Sequence, residues 1–244
     1  MPTILAINPN TSASITDLVA RHLVALAAPG ISYRAVTGRF GAAYVSSEAA
    51  FAIAGHAALD AWAAHGEGCD AVYLACFGDP GLFALRELCP VPVVGMAEAS
   101  MRIAAQHGHY AIVTGGRRWK PMLERLADGL GLRDRLAAVR PVAWTGAQIA
   151  ANPDAAIDSL AAECRAARET DGAKAVILGG AGLAGIAARV SPLVGFPVID
   201  SVEAGARAAE ALVAGARLPY ARMASGATTP SIGLPAALAE RLGD

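Results

Sequence analysis

The chain has 244 residues, enough for one large domain or two small lobes to bury a core without a metal or a disulfide. Its formal charge is −1, from 20 basic and 21 acidic residues, which leaves no electrostatic footprint for nucleic acid or an anionic membrane surface. Hydrophobic residues make up 55% of the chain and aromatics only 5%, so the core must rest mainly on Ala, Val, Leu and Ile, with closely packed helices.

The predicted elements alternate along the chain. A first apolar strand, ILAIN, runs into the turn INPNTS (Ile7 to Ser12), and an Ala-rich helix follows over Ser14 to Ala28. The loop-like stretch Gly38 to Glu48 then enters a helix over Ser47 to His65. Tyr44, Ser46 and Ser47 of this loop can reach a cleft, and Ser46 or Ser47 can equally cap the helix. A second strand, AVYLAC, ends in ACFGDPG (Ala75 to Gly81), with a helix expected over Pro80 to Leu88. VPVVGM and a helix over Ala97 to His107 come next, followed by YAIVTG, the turn VTGGRRW (Val113 to Trp119) and a helix over Lys120 to Gly129. A long helix over Pro153 to Thr170 precedes AVILGG, the glycine-rich LGGAGLAG (Leu178 to Gly185), the strand FPVID and a helix over Val202 to Ala214. Short apolar runs bounded by turn residues suit strands buried on both faces of a parallel sheet, and the alternation defines an α/β chain with ligands at the carboxyl ends of the strands.

No basic segment followed by a long apolar run opens the chain, and no apolar stretch reaches the roughly 18 residues of a membrane-spanning helix. A cytoplasmic protein with reduced thiols is expected, with no membrane or nucleic-acid partner. Cys69, Cys76, Cys89 and Cys164 form no CxxC pair and no cluster with histidine, so neither zinc nor a disulfide framework is expected.

The chain also repeats itself. VYLACFGDPGLFALRELCPVPVVGMAEAS from Val72 resembles VILGGAGLAGIAARVSPLVGFPVIDSVEAG from Val176, an offset of 104 (176 − 72). TILAIN from Thr3 matches HYAIVT from His109 at an offset of 106 (109 − 3), and Glu98 matches Glu203 at 105 (203 − 98). A nearly constant offset over three blocks implies two similar half-structures facing each other. Residues 1–98 together with 206–244 would form lobe one, and 99–205 lobe two, with the tail returning to the first lobe. In this alignment Cys76 falls opposite Gly180.

The strand-end motifs supply the candidate chemistry. Asn8 and Asn10 offer amide donors beside a helix start, and Thr114, Gly115 and Gly116 can present backbone amides to an anion. Arg117 and Arg118 are either carboxylate ligands or solvated loop arginines. Cys76, just before a helix, is a base or nucleophile whose thiolate the helix amides would favour. Asp79 is a helix cap more than a catalytic group. Gly180, Gly182 and Gly185 spell G-x-G-x-x-G, but mid-chain and without a counterpart in the first half, which argues against a dinucleotide loop even though Asp200 follows about twenty residues on.

Taken together, NPNTS, ACFGDPGL, VPVVGMAEA and GGAGLAG resemble the aspartate/glutamate/hydantoin racemase superfamily, and within it the hydantoin and allantoin racemase branch. The resemblance spans nearly the whole chain. It implies two Rossmann-like lobes with parallel sheets related by a pseudo-twofold axis, enclosing a small substrate in the cleft, with no cofactor and possible assembly into a homo-oligomer. In that family paired cysteines remove and return a proton on opposite faces of a carbon next to a carbonyl. Cys76 matches the first of them, and Gly180 stands where the second is expected. Asn8, Asn10, Ser46, Phe77, Thr114, Gly115, Gly180 and Ala181, at the strand ends and in the loop before the second helix, are expected around the hydantoin-like or amino-acid-like substrate that the resemblance implies. Three readings of the missing thiol follow. Asp79 or a water replaces it in an isomerase; or one thiol suffices, as in the family's arylmalonate decarboxylase; or the chain binds a ligand without efficient turnover. In any of these Gly180 can lend a backbone amide to a developing enolate oxygen.

Overall fold

The computed structural model describes residues 1–220 and 231–243; part of the expected tail, 221–230, lies outside the described residues. Two four-stranded parallel sheets carry the fold. The first comprises β1 (Thr3–Asn8), β2 (Ser32–Thr37), β3 (Ala71–Leu74) and β4 (Val93–Gly95), interleaved with α1 (Ala13–Leu26), α2 (Glu48–His65) and α3 (Leu82–Leu88). After α4 (Met96–Ala105) the second comprises β5 (Tyr110–Gly115), β6 (Leu136–Val142), β7 (Ala175–Gly179) and β8 (Val198–Asp200), with α5 (Trp119–Gly129), α6 (Gly146–Ala151), α7 (Pro153–Glu169) and α8 (Ala187–Val194). α9 (Ser201–Val213) and α10 (Ala236–Gly243) follow.

Strand order is β2-β1-β3-β4 in one sheet and β6-β5-β7-β8 in the other, the same winding twice. The pairing registers carry the sequence repeat. Ile7 pairs with Leu74 and Val113 with Leu178, while Leu74 pairs with Gly95 and Leu178 with Asp200. The offsets between equivalent positions are therefore 106 (113 − 7), 104 (178 − 74) and 105 (200 − 95), those of the sequence alignment.

Central strands β1, β3, β5 and β7 are buried almost throughout, as their continuous apolar runs require. β2 and β6 were not expected. Both are edge strands with an arginine in mid-strand, and each arginine finds partners outside the sheet: Arg34 donates to the carbonyls of His65 and Glu67, and Arg140 pairs with Glu163 and Asp171. A strand buried on one side only loses the apolar signature that reveals its neighbours.

The largest core cluster spans both sheets, joining Ile4, Tyr73 and Phe77 to Tyr110, Ile112 and Ile177 through α4 and α9. Small residues let these elements approach. Gly205 of α9 lies on the Tyr73 ring, where a Cβ would overlap it, and the Tyr73 hydroxyl donates to the Val202 carbonyl at 3.2 Å. A second cluster fills the outer side of the first sheet, where Leu238 of α10 packs with Leu5, Ile7 and Trp62. Leu238 is 1% exposed. Its truncation to Ala is expected to lower the unfolding free energy by about 2–5 kcal/mol, measured by urea denaturation.

Candidate active site

The carboxyl ends of β1, β3, β5 and β7 converge on one solvent-open cavity of about 560 Å³. Among the expected site residues, Asn10, Cys76, Phe77, Thr114, Gly115, Gly180 and Ala181 line it; Asn8 and Ser46 do not. Tyr44, Trp119, Gly146 and Leu183 complete much of the wall.

Asn8 stands behind the cavity. Its Nδ2 donates to Asn10 Oδ1 at 2.9 Å, to Thr16 Oγ1 at 3.0 Å and to the Ser12 carbonyl at 3.2 Å, while its Oδ1 accepts from the Asn10 amide. These bonds shape the turn rather than serve a ligand. Asn10 Oδ1 also accepts from the Ser12 amide, so both of these bonds use its oxygen and its NH₂ is left for the cavity. Ser47, not Ser46, caps α2 by accepting from the Ala50 amide.

Cys76 closes the end of β3 and is 7% exposed. Helix α3 begins only at Leu82, is seven residues long and does not activate the thiol. Burial, reinforced by the neighbouring Asp79 carboxyl, pushes the Cys76 thiol up to about 12. At neutral pH this sulfur carries its proton, contrary to the expected thiolate.

Asp79 faces away from the cavity. It adopts a positive φ of 55°, and its two carboxylate oxygens accept from the Ala97 and Glu98 amides at 2.9 and 2.8 Å, the unpaired N–H groups at the start of α4. Burial raises this carboxyl to about 7 against the pull of those amides. Gly95 makes the contact possible, since a Cβ there would overlap the Asp79 carboxylate. Asp79 therefore caps α4 from the lobe that already holds the thiol and does not stand in for a second one.

Lobe two solves the same problem within one strand end. Asp200 caps its own helix, accepting from Val202 and Glu203, and also binds the Gly185 amide at 2.6 Å. That leaves Asp200 committed to α9, and the glycine-rich segment forms a short 3₁₀ turn over Ala181–Leu183 instead of opening a long helix. Gly180 has φ 142°, a glycine-favouring conformation, and its amide donates to Ser201 Oγ at 3.1 Å. The backbone donor expected there for an enolate is thus already paired. Gly116 likewise donates to the Val142 carbonyl, and Arg117 and Arg118 are exposed and off the cavity wall.

Among the described residues no side chain with a full charge lines the cavity, and its only titratable groups are Cys76 and Tyr44. Sequence reading named Tyr44 only as able to reach the cleft, because nothing local tells where a loop tyrosine points. The described residues hold no cluster of His, Cys, Asp or Glu able to bind a metal ion, and no helix long and apolar enough to cross a membrane.

Two like α/β lobes sharing one apolar cavity, with a thiol at a strand end, define a class of enzyme that works on small molecules between paired domains. The chain belongs to the Asp/Glu/hydantoin racemase family, whose model matches residues 4–209. The hydantoin racemase of Pseudomonas sp. (strain NS671) is 36% identical over 213 residues, 86% of this chain and 85% of that protein. The crystal structure of allantoin racemase from Pseudomonas fluorescens superposes with a TM-score of 0.84 at 35% identity, covering 87% of this chain and 91% of that one. Arylmalonate decarboxylase shares the fold, with a TM-score of 0.58 at 19% identity over 88% of this chain and 94% of that one.

Two outcomes test the geometry of the site. Gly95→Ala should displace the Asp79 carboxylate and lower stability by about 1–3 kcal/mol in thermal or denaturant unfolding. Alkylation of Cys76 by iodoacetamide, followed by peptide mass spectrometry, should be slow at pH 7 and rise about tenfold per pH unit with the thiolate fraction.

Proposed function

We propose that this racemase-family enzyme moves a proton at a carbon next to a carbonyl in a small, uncharged, hydantoin-like ring, with Cys76 as the acid and base on one face. The observation that carries this reading is the cavity wall: a single thiol among apolar, amide and hydroxyl groups, with no cation among the described residues to hold a carboxylate. An α-amino acid or a substituted malonate would bring one or two carboxylates into that wall unpaired, at a cost of several kcal/mol. A cyclic amide needs only donors and acceptors, and the Asn10 NH₂ is the donor we assign to its carbonyl oxygen as charge develops there.

Lobe boundaries after residues 98 and 205 fit this reading, because the cavity then lies between the two repeats and α10 packs on α2 of the first. The absence of a second thiol at Gly180 favours one further reading, in which Cys76 delivers a single proton after loss of carbon dioxide from a malonate.

Proton removal needs the thiolate, and the raised pKa of Cys76 makes that form scarce at pH 7. Racemisation of a 5-substituted hydantoin, followed by polarimetry, should therefore accelerate as pH rises from 7 towards 10. In D₂O the wild type should place deuterium at the ring carbon while optical rotation decays, and Cys76→Ala should lose both by at least about 100-fold. Retained activity in Cys76→Ala would overturn the mechanism, and a monodeuterated acid formed only from malonates would move the assignment to decarboxylation.

A further inference from the structure

We propose that Tyr44 is the proton donor and acceptor for the substrate face opposite Cys76, doing the work for which the second lobe has no thiol. The proposal rests on the racemase reading of the same cavity and identifies a further catalytic residue for it.

Tyr44 belongs to lobe one by sequence but to lobe two by contact. Its loop leaves β2 and is held at three points. Arg39 forms a bidentate pair with Asp60 at 2.6 and 2.7 Å, the Ala42 carbonyl accepts from the Thr11 amide at 3.1 Å, and Val45 is buried. Between these anchors the ring reaches across the cleft, and its hydroxyl donates to the Gly115 carbonyl at 3.0 Å, at the end of β5. β5 pairs with β7, whose end carries Gly180, so the phenol is moored beside the strand where the missing thiol would stand. The second glycine of VTGGRRW accommodates this mooring. Gly116 has φ 91°, and a Cβ on it would lie 2.6 Å from the Tyr44 oxygen. Gly116 thus leaves room for the tyrosine hydroxyl, while Gly115 lies against the backbone of Trp144, Thr145 and Gly146.

The surroundings of the oxygen suit proton transfer. Burial raises the phenol pKa, while the Trp119 indole and the Gly146 amide act in the opposite direction by favouring the phenolate; Cys76 adds a smaller upward push through charge. Both stabilising groups come from lobe two. Tyr44 is thus a phenol at neutral pH, and Trp119 and Gly146 lie where they favour the phenolate that remains after it gives up its proton.

The step balances without a cofactor. The Cys76 thiolate takes the ring proton, the C–H electron pair passes into the enolate, and the enolate carbon takes the proton of Tyr44 on its other face. The products are a thiol, a phenolate and the inverted ring. Substrate in the opposite configuration runs the same step in reverse, and solvent protons restore the starting form through the open cavity.

The test separates the two faces. In D₂O, with an enantiopure hydantoin and an enzyme-free control, Tyr44→Phe should lose at least about 100-fold in racemisation while still exchanging deuterium at Cys76 with retention of configuration. Racemisation within about threefold of wild type, or proportional loss of exchange and racemisation, overturns the proposal. Loss of exchange in Cys76→Ala with these results for Tyr44→Phe keeps the racemase reading apart from the Tyr44 assignment. Should Tyr44→Phe fail to fold, 3,5-difluorotyrosine at position 44 carries the test by making the phenol more acidic without removing the hydroxyl. Its pH-rate profile should shift to lower pH on the alkaline side, and an unshifted profile overturns the proposal.

Discussion

Two helices begin in the protein interior, and each must satisfy backbone N–H groups that have no partner within the helix. α4 and α9 start directly from the last strand of their sheets, pack against each other, and are covered by protein at their amino ends. One carboxylate serves each start: Asp79 reaches in from the loop after β3, and Asp200 caps its own helix. This requirement ties the two loops that face the substrate to the helix pair that joins the lobes. Gly95, the positive φ of Asp79 and the bond from Gly185 to Asp200 all follow from it.

Burial of Asp79 has a further effect on chemistry. A carboxyl held beside Cys76 in a dry interior discourages a second negative charge, and desolvation does the same more strongly. Both effects favour the protonated thiol. Behind it, the buried pair of Arg86 and Glu98 is completed by Arg102 and by the Val93 carbonyl, so the charges below the site are satisfied without entering the cavity. The result, among the described residues, is a pocket whose wall carries no charged side chain.

Crossing of the cleft by Tyr44 complements this arrangement. Lobe two offers a wall of glycine and alanine with Trp119, Leu183 and a threonine whose hydroxyl donates to the Gly179 carbonyl. The phenol that reaches this wall comes from the other lobe. Glycines at 115 and 116 and the indole of Trp119 form the receiving surface, with Phe51 of α2 edge-on to the same indole at 6.5 Å between ring centres.

The sequence alone showed the alternation of central strands and helices, the doubling of the fold and the strand-end position of Cys76. Each of these is written in local periodicity or in self-similarity, and the three repeat offsets reappear as pairing registers. Edge strands β2 and β6 escaped notice because one solvent-facing side and an arginine in each erase the apolar run. Asn8, Asp79 and Gly180 were visible as residues, but not what their polar atoms touch. Asn8 shapes a turn, Asp79 caps a helix through amides eighteen and nineteen residues onward, and the Gly180 amide is spent on Ser201. Only the tertiary structure decided the protonation of Cys76 and the reach of Tyr44. Desolvation depends on what is packed around a group, and a loop side chain takes its direction from anchors far away in sequence.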